Sequence, residues 1–172
     1  MNREVSFQKV NDYFRDLVSK TDYIKKFFSI SPEELVNDLN SGQESEFPIL
    51  VLFGYEAKLN GNQQRTFGTR TITFSILFNC KPDDYRGQEK AINDAEVYGL
   101  NFLSRINLDS KVHTYPWLAN VFDKDSVVFD VVQYENAKTL FGIEFSFDLS
   151  IKDPLSAKEA FWNDVTDFCN YP

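Results

Sequence analysis

"LFGIEFSFDLSIK", residues 140–152, decides how this chain folds. Phe141, Ile143, Phe145, Phe147, Leu149 and Ile151 take the odd positions, and Gly142, Glu144, Ser146, Asp148, Ser150 and Lys152 take the even ones. Alternation at period two marks a strand with one buried face and one polar face. A slip of one residue would expose the whole apolar set, so the register is tightly specified.

The neighbouring segments follow the same logic. "SVVFDVVQYEN" and "KTLFGIEFSFDLSIK" read as a strand pair with a turn near Glu135–Lys138. Upstream, "FPILVLFGYEAKLNG" places Ile49, Val51, Phe53, Tyr55, Ala57 and Leu59 on one face. Leu50 and Leu52 are apolar on the other face, so the first half of that strand is expected to be covered on both sides. "NGNQQRTFG" reads as an extended polar loop, too long for a two-residue hairpin. "TRTITFSILFNC" returns with Ile72, Phe74, Ile76, Phe78 and Cys80 inward and Thr71, Thr73 and Ser75 outward. Strands adjacent in sequence pair antiparallel by default.

Helices account for the rest. Val10, Tyr13, Phe14, Leu17 and Val18 recur at helical spacing, and Tyr23, Ile24, Phe27 and Phe28 extend that helix or start a second piece. "SISPEELVNDLNSG" carries a capping box, Ser31 with Glu34, and Pro32 at the first helical position, so it reads as a helix over 31–41 stopped by Gly42. "QEKAINDAEVYGLNFLSRINLD" sets Ile92, Ala95, Gly99, Phe102, Leu103 and Ile106 on one face. Gly99 costs about 1 kcal/mol relative to alanine inside a helix, so a close approach to the sheet is expected there. Ser156 and Glu159 cap a last helix over 156–169. The expected fold is α+β in the order α-α-β-β-α-β-β-α, with an antiparallel four-stranded sheet and helices on one face. At 172 residues the chain reads as one domain, 1–172. Within it, 1–42 supply N-terminal helices, 47–152 the sheet-plus-helix core and 156–169 the C-terminal helix.

The totals narrow the function. Net charge is −8, and Lys and Arg form no cluster beyond Arg65 with Arg70, so general or sequence-specific nucleic-acid binding is not expected. Cys80 and Cys169 read as reduced thiols. "MNREVSFQKV" has no apolar signal core, and no run approaches the ~20 residues of a membrane helix, so the expected location is cytoplasmic. His113 is the single histidine. No metal set, nucleophile elbow, phosphate loop or dinucleotide fingerprint is present, so no catalytic residue, metal ligand or cofactor is assigned. "DKD" at 123–125 lacks the remaining ligands of a calcium loop and reads as a turn. Asp83 and Asp84 read as turn or cap residues. Glu144 and Asp148 read as a solvated sheet face or an acidic interaction surface.

Two contact regions stand out. His113, Tyr115, Trp117 and Phe122 form an aromatic stretch that either lines a ligand pocket or packs its loop onto the core. Trp162 lies off the apolar stripe of the last helix and is a candidate intermolecular contact.

The succession over 5–152 resembles phage tail-terminator and tail-completion (head–tail connector) proteins. It comprises a leading helix, "FPILVLFGYEAKL", a polar loop, "TRTITFSILFNC", a long helix and two strands ending in "FGIEFSFDLSI". The helices at 31–41 and 156–169 depart from that family's minimal pattern. The resemblance implies a non-enzymatic subunit that forms a ring, commonly a hexamer, and meets other tail or neck proteins through sheet edges and hairpin loops. It would be cytoplasmic before assembly and in the virion tail afterwards. By position the matching loop is Asn60–Arg70, which brings Arg65, Phe67 and Arg70 to an otherwise acidic protein. The alternative is a small α+β binding module using the aromatic loop 113–122. An enzyme would require converging carboxylates in a cleft.

Overall fold

The Ser6 hydroxyl accepts a hydrogen bond from the Lys9 amide at 3.4 Å and caps α1, Phe7–Ser19. Val10, Tyr13, Phe14, Leu17 and Val18 are buried along it, as their spacing predicts. The computed structural model describes residues 5–29, 35, 37, 46–62, 65–135 and 139–152. After α1 come β1 (Lys26–Ser29), β2 (Ile49–Asn62), β3 (Arg65–Asn79), α2 (Tyr85–Val112), β4 (Phe122–Glu135) and β5 (Thr139–Lys152).

The sheet corrects the expected architecture. It has five strands in the order β1-β2-β3-β5-β4, not four, and it is mixed, because β1 runs parallel to β2 while the other pairs are antiparallel. The added strand comes from "KFFS", where helical spacing suggested more helix. Phe27 and Phe28 are strand-forming aromatics, and Phe28 sits opposite Val51 with its side chain buried in an apolar cluster on the second face. Two helices are described throughout, fewer than expected. The expected helix over 31–41 lies outside the described residues except for Leu35 and Asn37, both helical. The expected helix over 156–169 also lies outside them.

The odd face of β5 covers the main core. Ile143, Phe145, Phe147, Leu149 and Ile151 pack with Leu50, Leu52, Ile72, Phe74 and Ile76 of the sheet. α1 and α2 close over them with Phe14, Phe102, Leu103 and Ile106. Phe74 stacks on Phe145 at 5.2 Å between ring centroids and meets Phe14 edge-on at 5.4 Å. Gly99 supplies the expected close approach: a Cβ there would lie 2.0 Å from Cζ of Phe145.

The opposite face is not uniformly polar. At one end Phe28, Leu35, Ile49, Val51, Leu77 and Leu140 form a second buried cluster. A bulge divides β2 between the two faces. Leu52 pairs with Phe74 and Gly54 with Thr73, which leaves Phe53 as the extra residue. The single face expected for Ile49 through Leu59 is therefore split. Ile49, Val51 and Phe53 serve the second cluster, whereas Leu50, Leu52 and Tyr55 pack on the main core.

The polar stretch between β2 and β3 is also not a loop. Pairing continues to Asn62 opposite Arg65, so only residues 63 and 64 connect the strands. The two strands form a hairpin arm that runs past β1, which pairs with β2 only over Ile49–Leu52.

Candidate assembly surface

The order of the sheet leaves β4 as an edge strand along its full length. Its pairing with β5 shifts between Asp123 and Val128 and then runs regularly to Glu135 opposite Thr139. Edge strands are usually blunted by lysine, proline, bulges or cover, since their free amide and carbonyl groups invite pairing. β4 has Lys124 and the irregularity at its start; from Val128 to Glu135 the described residues supply no lysine, proline, bulge or covering element, and Asp130 is an exposed charge there. Val128 is 62% exposed, Phe129 42% and Val131 59%. Phe129 and Val131 lie opposite Phe145 and Ile143, on the face that carries α2. Val128 and Asp130, opposite Ser146 and Glu144, lie on the other face.

α2 explains the exposure. It packs its Ala91, Ala95, Gly99, Phe102 and Ile106 side onto the sheet and sits chiefly over β5, with β4 contacted least. Asp84 caps it by accepting from the Gly87 amide at 2.9 Å, the capping role expected of the acidic pair. Leu100 on its outer flank is 42% exposed. Where α2 begins, Pro82, Tyr85, Gln88, Gln133, Thr139 and Phe141 line an open hollow of about 420 Å³.

The second open edge is the arm. On the side of β2 away from β3, no described residue pairs with Phe53–Asn62. Glu56, Ala57, Lys58 and Leu59 are exposed there, Leu59 by 46%. Over residues 55–70, Lys58, Arg65 and Arg70 oppose Glu56 alone, a net +2. Over β4, Asp123, Asp125, Asp130 and Glu135 oppose Lys124 alone, a net −3.

The residues singled out from the sequence fall in several places. Arg65, Phe67 and Arg70 all stand on β3 rather than in a loop. Arg65 is paired with Asn62 beside the connection, Phe67 lies between Asn60 and Lys152, and Arg70 lies between Ala57 and Leu149. Arg70 is half-buried, and its Nη1 donates to the Thr69 carbonyl at 3.4 Å. Trp162 lies outside the described residues, as does Cys169. Sequence reasoning found β4 as a strand but not as a contact surface, because its exposed valines and phenylalanine look like core residues until the strand order places them at an edge.

The aromatic loop is brought together as a plug. Trp117 and Leu118 are buried, Tyr115 and Phe122 half-buried, and His113 exposed in the left-handed region at φ 59°. Tyr13 meets Tyr115 at 4.9 Å and Trp117 at 5.6 Å. The hollow beneath Trp117 and Leu118 holds about 10 Å³, at most a single water. A polar relay fastens the plug. The Tyr115 hydroxyl donates to Asp16 at 2.6 Å, Tyr13 donates to buried Asp109 at 3.0 Å, and Arg105 Nε donates to both Asp109 oxygens at 3.0 Å. Burial, then the Asp109 charge, pushes the Tyr13 phenol far above its ordinary pKa. Hydrogen bonds from Lys20 and then Tyr115 hold the Asp16 carboxyl below its ordinary value.

The acidic side chains of the outer sheet face are engaged within the chain. Thr71 donates to Asp148 at 2.6 Å, Ser75 and Tyr134 reach Glu144 at 3.5 and 3.4 Å, and Thr73 pairs with Ser146 at 3.2 Å. The 123–125 segment, expected as a turn, is instead the start of β4 at its register shift, where the Asp123 side chain accepts from the Asp125 amide at 3.0 Å. Cys80 is half-buried, and burial raises its thiol pKa. Among the described residues no group of three or more His, Cys, Asp or Glu side chains is placed to hold a metal ion. No helix among them is long and apolar enough to cross a membrane.

No protein-family model matches this chain, and no curated protein matches it.

Proposed function

We propose that this protein is a non-enzymatic structural subunit that self-associates into a ring at the end of a phage or prophage tail, as a tail terminator or neck-like component. The observation that carries the reading is the unblunted β4 edge with Val128, Phe129 and Val131 exposed along it. A soluble monomer gains nothing from such an edge and risks indiscriminate pairing, whereas an assembly subunit uses it. The open hairpin arm, with charge opposite to that of β4, supplies a second surface for a head-to-tail contact, the kind that closes rings. The tail assignment rests on the resemblance in element order, and the self-association on the two edges. Among the described residues the space beneath Trp117 and Leu118 of the aromatic loop is only about 10 Å³, which favours assembly over a binding module. Light scattering behind a sizing column, at several concentrations and two salt levels, tests the reading. A closed multimer of one defined mass is expected; a monomer at every concentration would overturn it.

A further inference from the structure

The two open edges match each other in a single register, and we infer that the strand paired to β4 in the assembly is the arm segment of β2 from the next copy. The inference rests on the self-association reading and names its contact. Four features support it.

Direction is the first. Successive strands β2, β3, β5 and β4 alternate, so β4 runs opposite to β2 within one chain. A head-to-tail repeat that preserves strand direction and sheet face therefore sets β4 of one copy antiparallel to β2 of the next.

Side-chain pattern is the second. Lys58 lies on the outer face, opposite Thr69, and Asp130 lies on the outer face, opposite Glu144. Both are exposed, and neither has a partner among the described residues. Placing Lys58 opposite Asp130 in an antiparallel pair sets Leu59 opposite Phe129, Ala57 opposite Val131 and Tyr55 opposite Gln133. These three pairs all fall on the face that carries α2. One face gains an opposite-charge pair, and the other covers Leu59, Phe129 and Val131, the apolar side chains left open on that face.

Fit is the third feature. β1 blocks β2 over Ile49–Leu52. In this register those positions fall beyond Glu135, where β4 ends. The next copy's β1 then abuts the end of β4 instead of colliding with it. The open length of β2, Phe53–Asn62, lies against residues 126–135, most of them in the regular part of β4. An unstaggered pairing, with the copies level, would drive β1 into Phe129–Val132. Charge is the fourth: Arg65 and Arg70 on the adjoining β3 bring the hairpin to a net +2 over residues 55–70, near an edge of net −3, which favours association rate.

The test uses the full chain with Cys80→Ser and Cys169→Ser. Adding Ala57→Cys and Val131→Cys and oxidising should give a ladder of covalent multimers on a non-reducing gel, ending at the ring size. Within one chain these positions are separated by β3 and β5, about 14 Å across three strand spacings, so no internal disulfide competes. The pair Ala57→Cys with Asp125→Cys, six positions out of register, should give none. Lys58→Glu should weaken association by about tenfold, and adding Asp130→Lys should restore it. If light scattering shows a multimer but neither the ladder nor the charge-swap rescue is seen, the pairing is wrong and the self-association reading survives. A monomer under all conditions would refute both.

Discussion

Replacing Gly99 with alanine sets helix propensity against packing, and the structure says which wins. Inside a helix, alanine is favoured over glycine by about 1 kcal/mol. At Gly99 the new Cβ would lie 2.0 Å from Cζ and 2.1 Å from Cε2 of Phe145. Phe145 is fully buried, stacked on Phe74 at 5.2 Å and flanked by Phe129 at 5.5 Å. Its ring has no room on the Phe74 side, so either α2 lifts from the sheet or the ring tilts toward the β4 edge. Overpacking of this kind costs about 1–3 kcal/mol, and more where the core is tight. Taking about 3 kcal/mol against the gain of about 1, Gly99→Ala should lose about 2 kcal/mol. For a chain of this length that lowers Tm by about 4–8 °C. Thermal and urea unfolding measure it. Phe145→Leu should shrink the penalty of Gly99→Ala, with a coupling of about 1–2 kcal/mol in the double-mutant cycle. A stabilised Gly99→Ala protein would refute the close-approach argument, because propensity alone would then govern the site.

The remaining predictions concern the sheet, the polar relay and the thiol. Gly142→Ala should cost about 3 kcal/mol, since its Cβ would overlap the Ile76 carbonyl oxygen at 1.9 Å, backbone that cannot swing away; chemical denaturation reads it. Tyr13→Phe should cost about 1–2 kcal/mol at neutral pH, because Asp109 is left buried with Arg105 alone. Tyr13 in the folded state ionises only well above its unfolded value of 10.0, so its contribution is intact below pH 10.0 and is lost as the pH rises beyond it. Alkaline unfolding should therefore begin above that pH and, relative to neutral stability, be shallower in Tyr13→Phe. Cys80 should react with a thiol reagent more slowly than a free cysteine at neutral pH, because burial and then the Asp84 charge raise its pKa; equal rates would contradict that placement.

Much of the fold is legible in the sequence because it is written in periodicity. The odd residues of 143–151, the even residues of 72–78 and the α2 stripe from Ala91 to Ile106 each sit on the main core or are buried or half-buried beside it, as their spacing requires. Gly99 is legible because a glycine inside a helix needs a packing reason. Three features are not legible. β1 is four residues whose burial depends on finding Val51 and Leu77 in space, and so short a segment has no period to read. The bulge at Phe53 reverses the phase of β2 mid-strand, and Gly54 beside it is its one local sign, too slight to override the apolar alternation around it. The arm is polar in sequence over residues 60–66, with no apolar alternation to mark a strand, and so it resembles a loop. The candidate surface is hidden for a related reason. Val128, Phe129 and Val131 carry the chemistry of a buried strand, and only the order β3-β5-β4 places them at the rim.

Absolute mass in solution tests the central claim most directly. Light scattering behind a sizing column, from low to high concentration and at low and high salt, should return one closed multimer. Its population should fall as salt screens the arm and edge charges. A strictly monomeric chain throughout would mean that the β4 edge and the β2 arm are not assembly surfaces, and the structural-subunit account would fail.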